Sequence, residues 1–173
     1  MKTNRFIIAA LFLAAAVSCQ KDGFVNTEVT RETESAVLVA GEPTKTSLSG
    51  KEIHWTNDDV IAVFDKDDVK NKFKIAQDEN GNPQVNGSKA SFRGLVTAGT
   101  TDIYAVYPYN LAMGAEGSIL KVNIPQEQTL KVGSFAEEHN ISVAKGVKVP
   151  GDESVEGVTF RNVCSYLKFT IPP

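Results

Sequence analysis

The sequence predicts an all-β fold, a β-sandwich, for most of the chain. Short runs rich in β-branched and aromatic residues recur from Thr44 onward, and clusters of Asn, Asp, Ser and Gly separate them. Runs of this kind, bounded by turn residues, are typical of strands. In addition, no window of about a dozen residues shows the period of an amphipathic helix. Many short strands with frequent turns indicate a sandwich.

The chain begins with a segment typical of export. Lys2 and Arg5 give it a positive start, and residues 6–17 contain no charged or polar side chain. A helix needs about 20 apolar residues to cross the hydrocarbon core of a bilayer, so this run is too short to span one. A positive start, a short apolar run and a small residue before a cysteine predict a secretory signal peptide over residues 1–18.

Cys19 and its neighbours predict a lipid anchor. Residues 16–19 (AVSC) resemble a bacterial lipobox, in which the cysteine thiol receives a diacylglycerol and the preceding peptide is removed. Stable anchoring takes more than one acyl chain, because a single chain binds a membrane only marginally. Residues 20–22 (QKD) partly resemble the acidic export tag of surface lipoproteins, which favours display outside the outer membrane. The alternative is an ordinary cleaved signal peptide and a free secreted protein.

Charge and length narrow the classes of function. Residues 1–18 hold two of the 18 basic residues and none of the 21 acidic ones, so the mature chain would have 155 residues and a formal charge of −5. That length suits one domain. An acidic chain argues against a nucleic-acid partner, which would require clustered Lys and Arg. No second long apolar run occurs, so no membrane-spanning segment is expected.

Residues 19–43 are predicted to form a lipid-anchored linker that contains a candidate first strand, at best an edge strand. The stretch is mainly polar, and it has short apolar runs at residues 24–25 and 36–40. Arg31 is its only trypsin-like cleavage site after Lys21. Arg31 is therefore a candidate site of proteolytic processing, and the alternative is a solvated linker residue.

Residues 44–173 are predicted to form the β-domain. The first strands are expected at residues 44–48, 53–55, 60–64 and 71–75, with turns at 49–50, 57–59 and 65–68. The continuous apolar run Val60–Phe64 indicates a buried strand, whereas residues 71–75 alternate Lys with apolar side chains and indicate a strand with one exposed face.

A loop at residues 80–83 (NGNP) precedes the second group of strands. These strands are expected at residues 90–92, 95–96, 102–109, 119–124, 141–149, 158–160 and 166–171. Pro108 should stop its strand, because proline cannot donate a hydrogen bond to a sheet. The last strand runs directly into Pro172 and Pro173, so we expect a truncated or partial gene product.

No constellation of residues predicts catalysis or metal binding. Neither His54 nor His139 has a Cys or a second His at the spacing of a zinc site. No nucleophile motif occurs, and Cys164 lies in a predicted core strand. The acidic run at residues 65–68 departs from the EF-hand pattern and favours a solvated hairpin turn. No cofactor is expected.

Aromatic residues offer a candidate glycan-stacking surface. Trp55 and Tyr109 are the two candidates, and Tyr109 follows Pro108 at a strand end, where exposure is expected. The alternative is that these rings fill the core, as aromatic side chains of strands usually do.

The order of the predicted elements resembles the fimbrillin family, which comprises Mfa-like and related subunits of type V pili and their surface-lipoprotein relatives. The resemblance covers about residues 36–171 and rests on residues 44–48 (TKTSL), 53–55 (IHW), 59–64 (DVIAVF), 90–94 (ASFRG), 104–109 (YAVYPY), 124–128 (IPQEQ), 160–162 (FRN) and 167–169 (LKF). Each motif is short, and their common order beside a lipobox is what indicates the family.

The resemblance implies a transthyretin-like β-sandwich that is exported as a lipoprotein precursor. In polymerising members, a trypsin-like protease removes the first strand at an arginine, and the groove then accepts a donor strand from the next subunit. Arg31 would be that arginine. Such subunits also carry a second β-domain that donates the strand, and this chain ends at Pro173, so we expect an anchored form that does not polymerise alone.

Together, these observations predict a lipid-anchored, non-catalytic protein of the cell outer membrane that acts in fimbria (pilus) assembly or cell adhesion. Its expected partners are the membrane, through acyl chains on Cys19, and other fimbrial subunits, through strand exchange. Host or cell-surface glycans or proteins are further candidates. The alternative function is that of a glycan-binding surface lipoprotein of the outer membrane.

Overall fold

The structure, a computed structural model, describes residues 31–41, 47–49, 52–127 and 140–163. These residues belong to one compact unit that begins at Arg31. They form thirteen strands and one short 3-10 helix, so the prediction of an all-β fold is confirmed. The signal segment, Cys19 and the last predicted strand lie outside the described residues. In the described part of the chain, no helix is long and apolar enough to cross a bilayer.

Most strands lie where the sequence predicts them. In chain order they are β1 (Thr33–Ala40), β2 (Ser47–Ser49), β3 (Glu52–His54), β4 (Val60–Phe64), β5 (Lys70–Ile75), β6 (Val85–Asn86), β7 (Lys89–Thr97), β8 (Asp102–Tyr107), β9 (Ala112–Glu116), β10 (Ile119–Val122), β11 (Ser142–Lys148), β12 (Ser154–Glu156) and β13 (Arg161–Asn162), and the 3-10 helix is Tyr109–Leu111. The sequence does not predict β6, β9, β12 and β13: β6 and β13 have only two residues each, and the residues of β9 and β12 (AMGAE and SVE) include few β-branched or aromatic side chains. The prediction of a strand at residues 158–160 was wrong, since of these residues only Thr159 forms a β-bridge, an isolated one with Gly41.

Seven strands form a closed, barrel-like sheet with the order β1-β12-β11-β8-β4-β5-β7, in which β7 pairs with β1 again. β6 pairs with β7 and β13 pairs with β11, outside this ring. Neighbours around the ring are antiparallel except for β1 and β12, which are parallel. Closure leaves the strands of the ring without a free edge.

The first strand is an integral part of this ring. β1 pairs with β7 along all eight of its residues, and it pairs with β12 on its other side. The side chains of Ala36, Leu38 and Ala40 are at most 1% exposed. The prediction of an edge strand was therefore wrong. Every second side chain of β1 faces the core, but two of these side chains are alanines and polar residues precede them, so the sequence does not show the apolar alternation of a buried strand.

One hydrophobic cluster fills the interior of the ring, and every strand of the ring contributes to it. Trp55, which follows β3, makes edge-on contacts with Phe92, Tyr107 and Phe160 at ring-centroid distances of 5.0, 5.4 and 5.4 Å. Such contacts contribute about 0.5–1.5 kcal/mol each beyond the burial of area. The hydroxyl of Tyr107 donates a hydrogen bond to Asp59 at 3.1 Å, which satisfies the polar end of this buried ring.

A second cluster lies on the outer face of β4 and β8. Phe64 and Val106 are fully buried there, and Leu111 of the 3-10 helix packs with them. Residues of the β9–β10 hairpin also belong to this cluster. β4 is therefore buried on both faces, which explains why its sequence is a continuous apolar run.

β7 is a single strand of nine residues, whereas the sequence predicts two short strands separated at Gly94. A Cβ atom added at Gly94 would lie 2.3 Å from Cδ2 of Phe73 on β5. Gly94 thus makes room for an aromatic ring within a continuous strand. The prediction of two strands was wrong because glycine here serves close packing and not a turn.

Candidate functional site

The candidate site for a strand-exchange function consists of β1 and its two neighbours. Toward β12, the register contains two residue pairs, Val37 with Ser154 and Leu38 with Val155, which we call the seam. The Val37 amide also donates to the carbonyl of Glu153 at 2.6 Å. Toward β7, eight residues are paired. The ring therefore closes through a short parallel contact that involves the first described strand of the chain.

An ion pair with a buried carboxylate holds the chain just before β1. Nη1 of Arg31 lies 3.5 Å from Oδ2 of Asp65, whose side chain is fully buried. Nη2 of Arg31 donates to Oδ1 of Asn71 at 2.8 Å, and the Asn71 amide donates to Oδ2 of Asp65 at 2.9 Å. The Arg31 side chain is 30% exposed. The candidate processing residue is thus held against the β4–β5 turn, unlike a solvated linker residue.

Asp65 is kept ionised by the hydrogen bonds it accepts. Burial raises the pKa of Asp65, but bonds from the Thr97 amide at 2.9 Å, from Asn71 and from the Thr97 hydroxyl at 2.8 Å together lower that pKa below its ordinary value. The amides of Asp67 and Val69 also donate to this carboxylate, at 3.1 and 3.3 Å. The acidic turn predicted here is present, but its first carboxylate is buried and not solvated.

A second ionic contact holds β1 near its start. Oε2 of Glu34 lies 3.1 Å from Nζ of Lys148, whose side chain is only 2% exposed. Lys148 also donates to the carbonyl of Asp152 at 2.7 Å, and the Gly99 amide donates to Oε1 of Glu34 at 2.9 Å. The hydrogen bond from Lys148 is the main reason that the pKa of Glu34 lies below its ordinary value.

Three sets of contacts hold β1. Its backbone pairing with β7 covers all eight residues, whereas the seam has two registered pairs and few hydrogen bonds, each of which contributes about 0.5–1.5 kcal/mol. The two ion pairs at the start of β1 each join a buried group to a side chain that is 30% or 33% exposed, so solvent weakens their contribution. β1 is therefore held mainly by its pairing with β7.

The two aromatic candidates for glycan stacking occupy different environments. Trp55 is 3% exposed and packed inside the ring, so its faces are not open to a ligand and its role is to fill the core. Tyr109 is half-buried at the 3-10 helix and packs against the outer cluster. The structure does not bring the two rings into one platform, and of the two only Tyr109 has an exposed part.

Two lysines of β5 lie beside Tyr109. Nζ of Lys70 is 4.2 Å and Nζ of Lys72 is 5.4 Å from the centroid of the Tyr109 ring. Lys70 also donates to the carbonyl of Ala112, and burial lowers the pKa of Lys70. A cation over an aromatic face contributes about 0.5–1 kcal/mol at exposed sites. The alternating lysines of β5 were the only signal in the sequence for this arrangement.

No metal site is evident among the described residues, since no three His, Cys, Asp or Glu side chains are grouped there in a way that could hold an ion. His139 and Cys164 lie outside the described residues. Comparisons with known proteins found no family model, no curated protein and no solved structure that matches the chain.

Proposed function

We propose that this chain is a lipid-anchored, non-catalytic protein of the cell outer membrane, of the fimbrillin type, that acts in fimbria assembly or adhesion. The seam is the observation that supports the proposal best, because on its β12 side the first described strand is joined to the ring through only two residue pairs, whereas its β7 side is paired along all eight residues. Ala36 and Ala40 add little bulk to the core. We expect an incoming strand of another subunit to open the ring at the seam and then to replace β1 beside β7.

The transthyretin-like sandwich implied by the resemblance is part of the same proposal. Three contacts of the ring have only two registered pairs each: β1 with β12, β11 with β12, and β5 with β7. If the sheet opens at the first and the last of these, β1 and β7 form one layer and β12, β11, β8, β4 and β5 form the other. Trp55 and Phe160 would then lie between the layers.

Arg31 keeps its proposed role as a processing residue, with a specific consequence. Because β1 begins at Thr33, a cut after Arg31 would leave β1 on the domain and detach the residues that include Cys19. The cut would also remove the guanidinium group that faces Asp65. Cleavage would thus release the domain from the lipid anchor and weaken the contacts that hold the start of β1. Strand exchange would then still require that the incoming strand displace β1 from the ring.

A reversible disulfide between β1 and β7 tests strand exchange. Val39 and Ser91 lie directly opposite each other in the register, and opposite Cβ atoms are about 4.5–5.5 Å apart, near the reach of a disulfide. The full chain with Val39→Cys and Ser91→Cys, in a Cys164→Ser background, is treated with a trypsin-like protease. The treatment is done in the outer membrane, where other fimbrial subunits supply the donor strand, and we expect mixed oligomers under reducing conditions and none when the disulfide is formed.

A matched pair on the β9–β10 hairpin serves as the control. Gly114 and Lys121 are also registered partners, so Gly114→Cys with Lys121→Cys should leave oligomer formation unchanged in either redox state. Oligomers that form equally well with β1 locked would contradict exchange of β1. Oligomers that survive Arg31→Ala would contradict processing at Arg31.

The anchor is tested separately by intact-mass analysis of the mature protein. We expect acyl chains on Cys19 and recovery of the protein in the membrane fraction, whereas Cys19→Ser should release it to the medium. An unmodified Cys19 in the wild-type protein would contradict the lipid anchor and favour a free secreted domain.

A glycan-binding surface lipoprotein is the second function we propose. The observation that favours it is the half-buried ring of Tyr109 beside two lysines. Titration of the full chain with glycans should change tyrosine fluorescence, and Tyr109→Ala should remove that change. An unaltered titration curve for Tyr109→Ala would exclude this ring from the binding site.

A further inference from the structure

A row of cations runs along the outer face of β5 and β7. The alternation of β5 places Lys70, Lys72 and Lys74 on the face opposite to the buried side chain of Phe73. Arg93 of β7 lies directly opposite Lys74 in the register. Alternation along β7 places Lys89 on the same face as Arg93. We call these five residues, Lys70, Lys72, Lys74, Lys89 and Arg93, the basic strip.

The basic strip is poorly neutralised. Among the described residues, Arg93 pairs with Glu153 at 2.7 Å, while the ion pairs there include none of Lys72, Lys74 and Lys89. Like charges directly opposite each other on neighbouring strands destabilise a sheet, which applies to Lys74 and Arg93. The chain as a whole carries a formal charge of −3, so this concentration of positive charge is local.

Groups that suit a sugar lie at both ends of the basic strip. At one end, a shallow depression of about 330 Å³ is lined by the polar side chains of Asp78, Gln84, Asn86, Lys89 and Ser91, with apolar neighbours. At the other end, the Tyr109 ring lies beside Lys70 and Lys72. The strip spans about eight residue rows, or about 26 Å at about 3.3 Å per residue.

We propose that the basic strip binds an anionic polysaccharide. Its carboxylate or sulfate groups would neutralise the lysines, and its hydroxyl groups would hydrogen-bond to the amide and hydroxyl side chains of the depression. An acidic peptide cannot add to the sheet here as a strand, because β5 and β7 are each paired on both sides. A bilayer surface would meet the cations but would leave the depression unfilled. The inference rests on the glycan-binding function proposed above and names its ligand class.

Binding is measured with the full chain in detergent solution, by calorimetric titration with polygalacturonate, dextran sulfate and uncharged dextran. We expect both anionic polymers to bind, with affinity that falls as salt rises, and dextran not to bind. Replacing the three lysines that have no ion pair with another described residue (Lys72→Gln, Lys74→Gln and Lys89→Gln) should weaken binding about tenfold. Unfolding followed by Trp55 fluorescence verifies that this triple variant is folded.

A second triple variant removes equal charge elsewhere on the surface. It combines Lys66→Gln, Lys121→Gln and Lys145→Gln, of which Lys121 and Lys145 already pair with acidic residues. It should bind within about twofold of the wild type, because these lysines lie outside the strip. Equal weakening by both triple variants would overturn the proposal in favour of general charge attraction.

The other outcomes are also decisive. Dextran that binds as well as polygalacturonate would overturn the requirement for acidic groups and leave the glycan-binding function in place. If none of the three polymers binds, both the proposed anionic ligand and the glycan-binding function are overturned. Polyglutamate and vesicles of phosphatidylglycerol test the two other ligand classes. If polyglutamate binds as tightly as polygalacturonate and loses affinity for the strip variant, the strip is assigned to an acidic peptide instead. The same result with the vesicles would assign it to a lipid surface.

Discussion

Replacing Asp65 by alanine should strongly destabilise the domain, because its buried carboxylate accepts bonds from several groups. The Thr97 amide and hydroxyl donate to it at 2.9 and 2.8 Å, and Arg31 forms an ion pair with it. The Asn71 amide keeps its bond to the Val69 carbonyl at 3.0 Å. Each buried donor left without an acceptor costs about 1–3 kcal/mol. For the two Thr97 donors, we expect a loss of about 2–6 kcal/mol, whereas the whole free energy of unfolding of a typical domain is about 5–15 kcal/mol.

Urea unfolding followed by fluorescence measures this loss, since Trp55 is the only tryptophan of the chain and is buried in the core. The dependence on pH gives a second readout. Because the pKa of Asp65 is lower in the folded state, its stabilisation is present above the unfolded-state pKa of about 3.9 and is lost as the pH falls through the folded value. The difference in unfolding free energy between the wild type and Asp65→Asn should therefore shrink below about pH 4.

Asp102 provides the matched control for Asp65. It pairs with Lys145 at 2.8 Å, but both side chains are more than half exposed, so Asp102→Ala should leave the free energy of unfolding nearly unchanged. The reasoning would be refuted by an equal loss for Asp65→Ala and Asp102→Ala. It would also be refuted if the difference in unfolding free energy between the wild type and Asp65→Asn did not change with pH.

Three further substitutions test separate features of the fold. Gly94→Ala should cost about 1–3 kcal/mol in urea unfolding, because its Cβ would meet the Phe73 ring, and an unchanged midpoint would show that the ring moves freely. Lys148→Met should raise the pKa of Glu34 toward its ordinary value in an NMR titration of carboxyl groups, since the bond from this lysine is the main cause of the lowering. Lys74→Gln removes a repulsion between β5 and β7 and should leave stability unchanged or higher by about 0.2–0.5 kcal/mol. A loss above about 1 kcal/mol would show instead that this lysine has a structural role.

The strands that the sequence predicts well are those whose signal is local. β4 is a continuous apolar run because both of its faces are buried, and β8 ends at Tyr107 because Pro108 follows. The ionic contacts at the start of β1 have no such signal. Thr97, which donates to Asp65, lies 32 residues away along the chain. An acidic turn with a buried carboxylate and a fully solvated one have the same local composition, and only the tertiary fold distinguishes them.

The two wrong predictions about β1 and β7 have one physical cause. Phe73 of β5 occupies the space beside Gly94, where a Cβ atom does not fit, and Ala36 of β1 lies opposite Gly94 in the register. The large Phe73 side chain on β5 thus requires small residues on β7 and β1. In the sequence, these small residues make β1 resemble a linker and make β7 resemble two strands with a break between them. The same packing constrains the proposed strand exchange. A strand that replaced β1 would meet the same filled interior, so it would need a small residue at the position of Ala36.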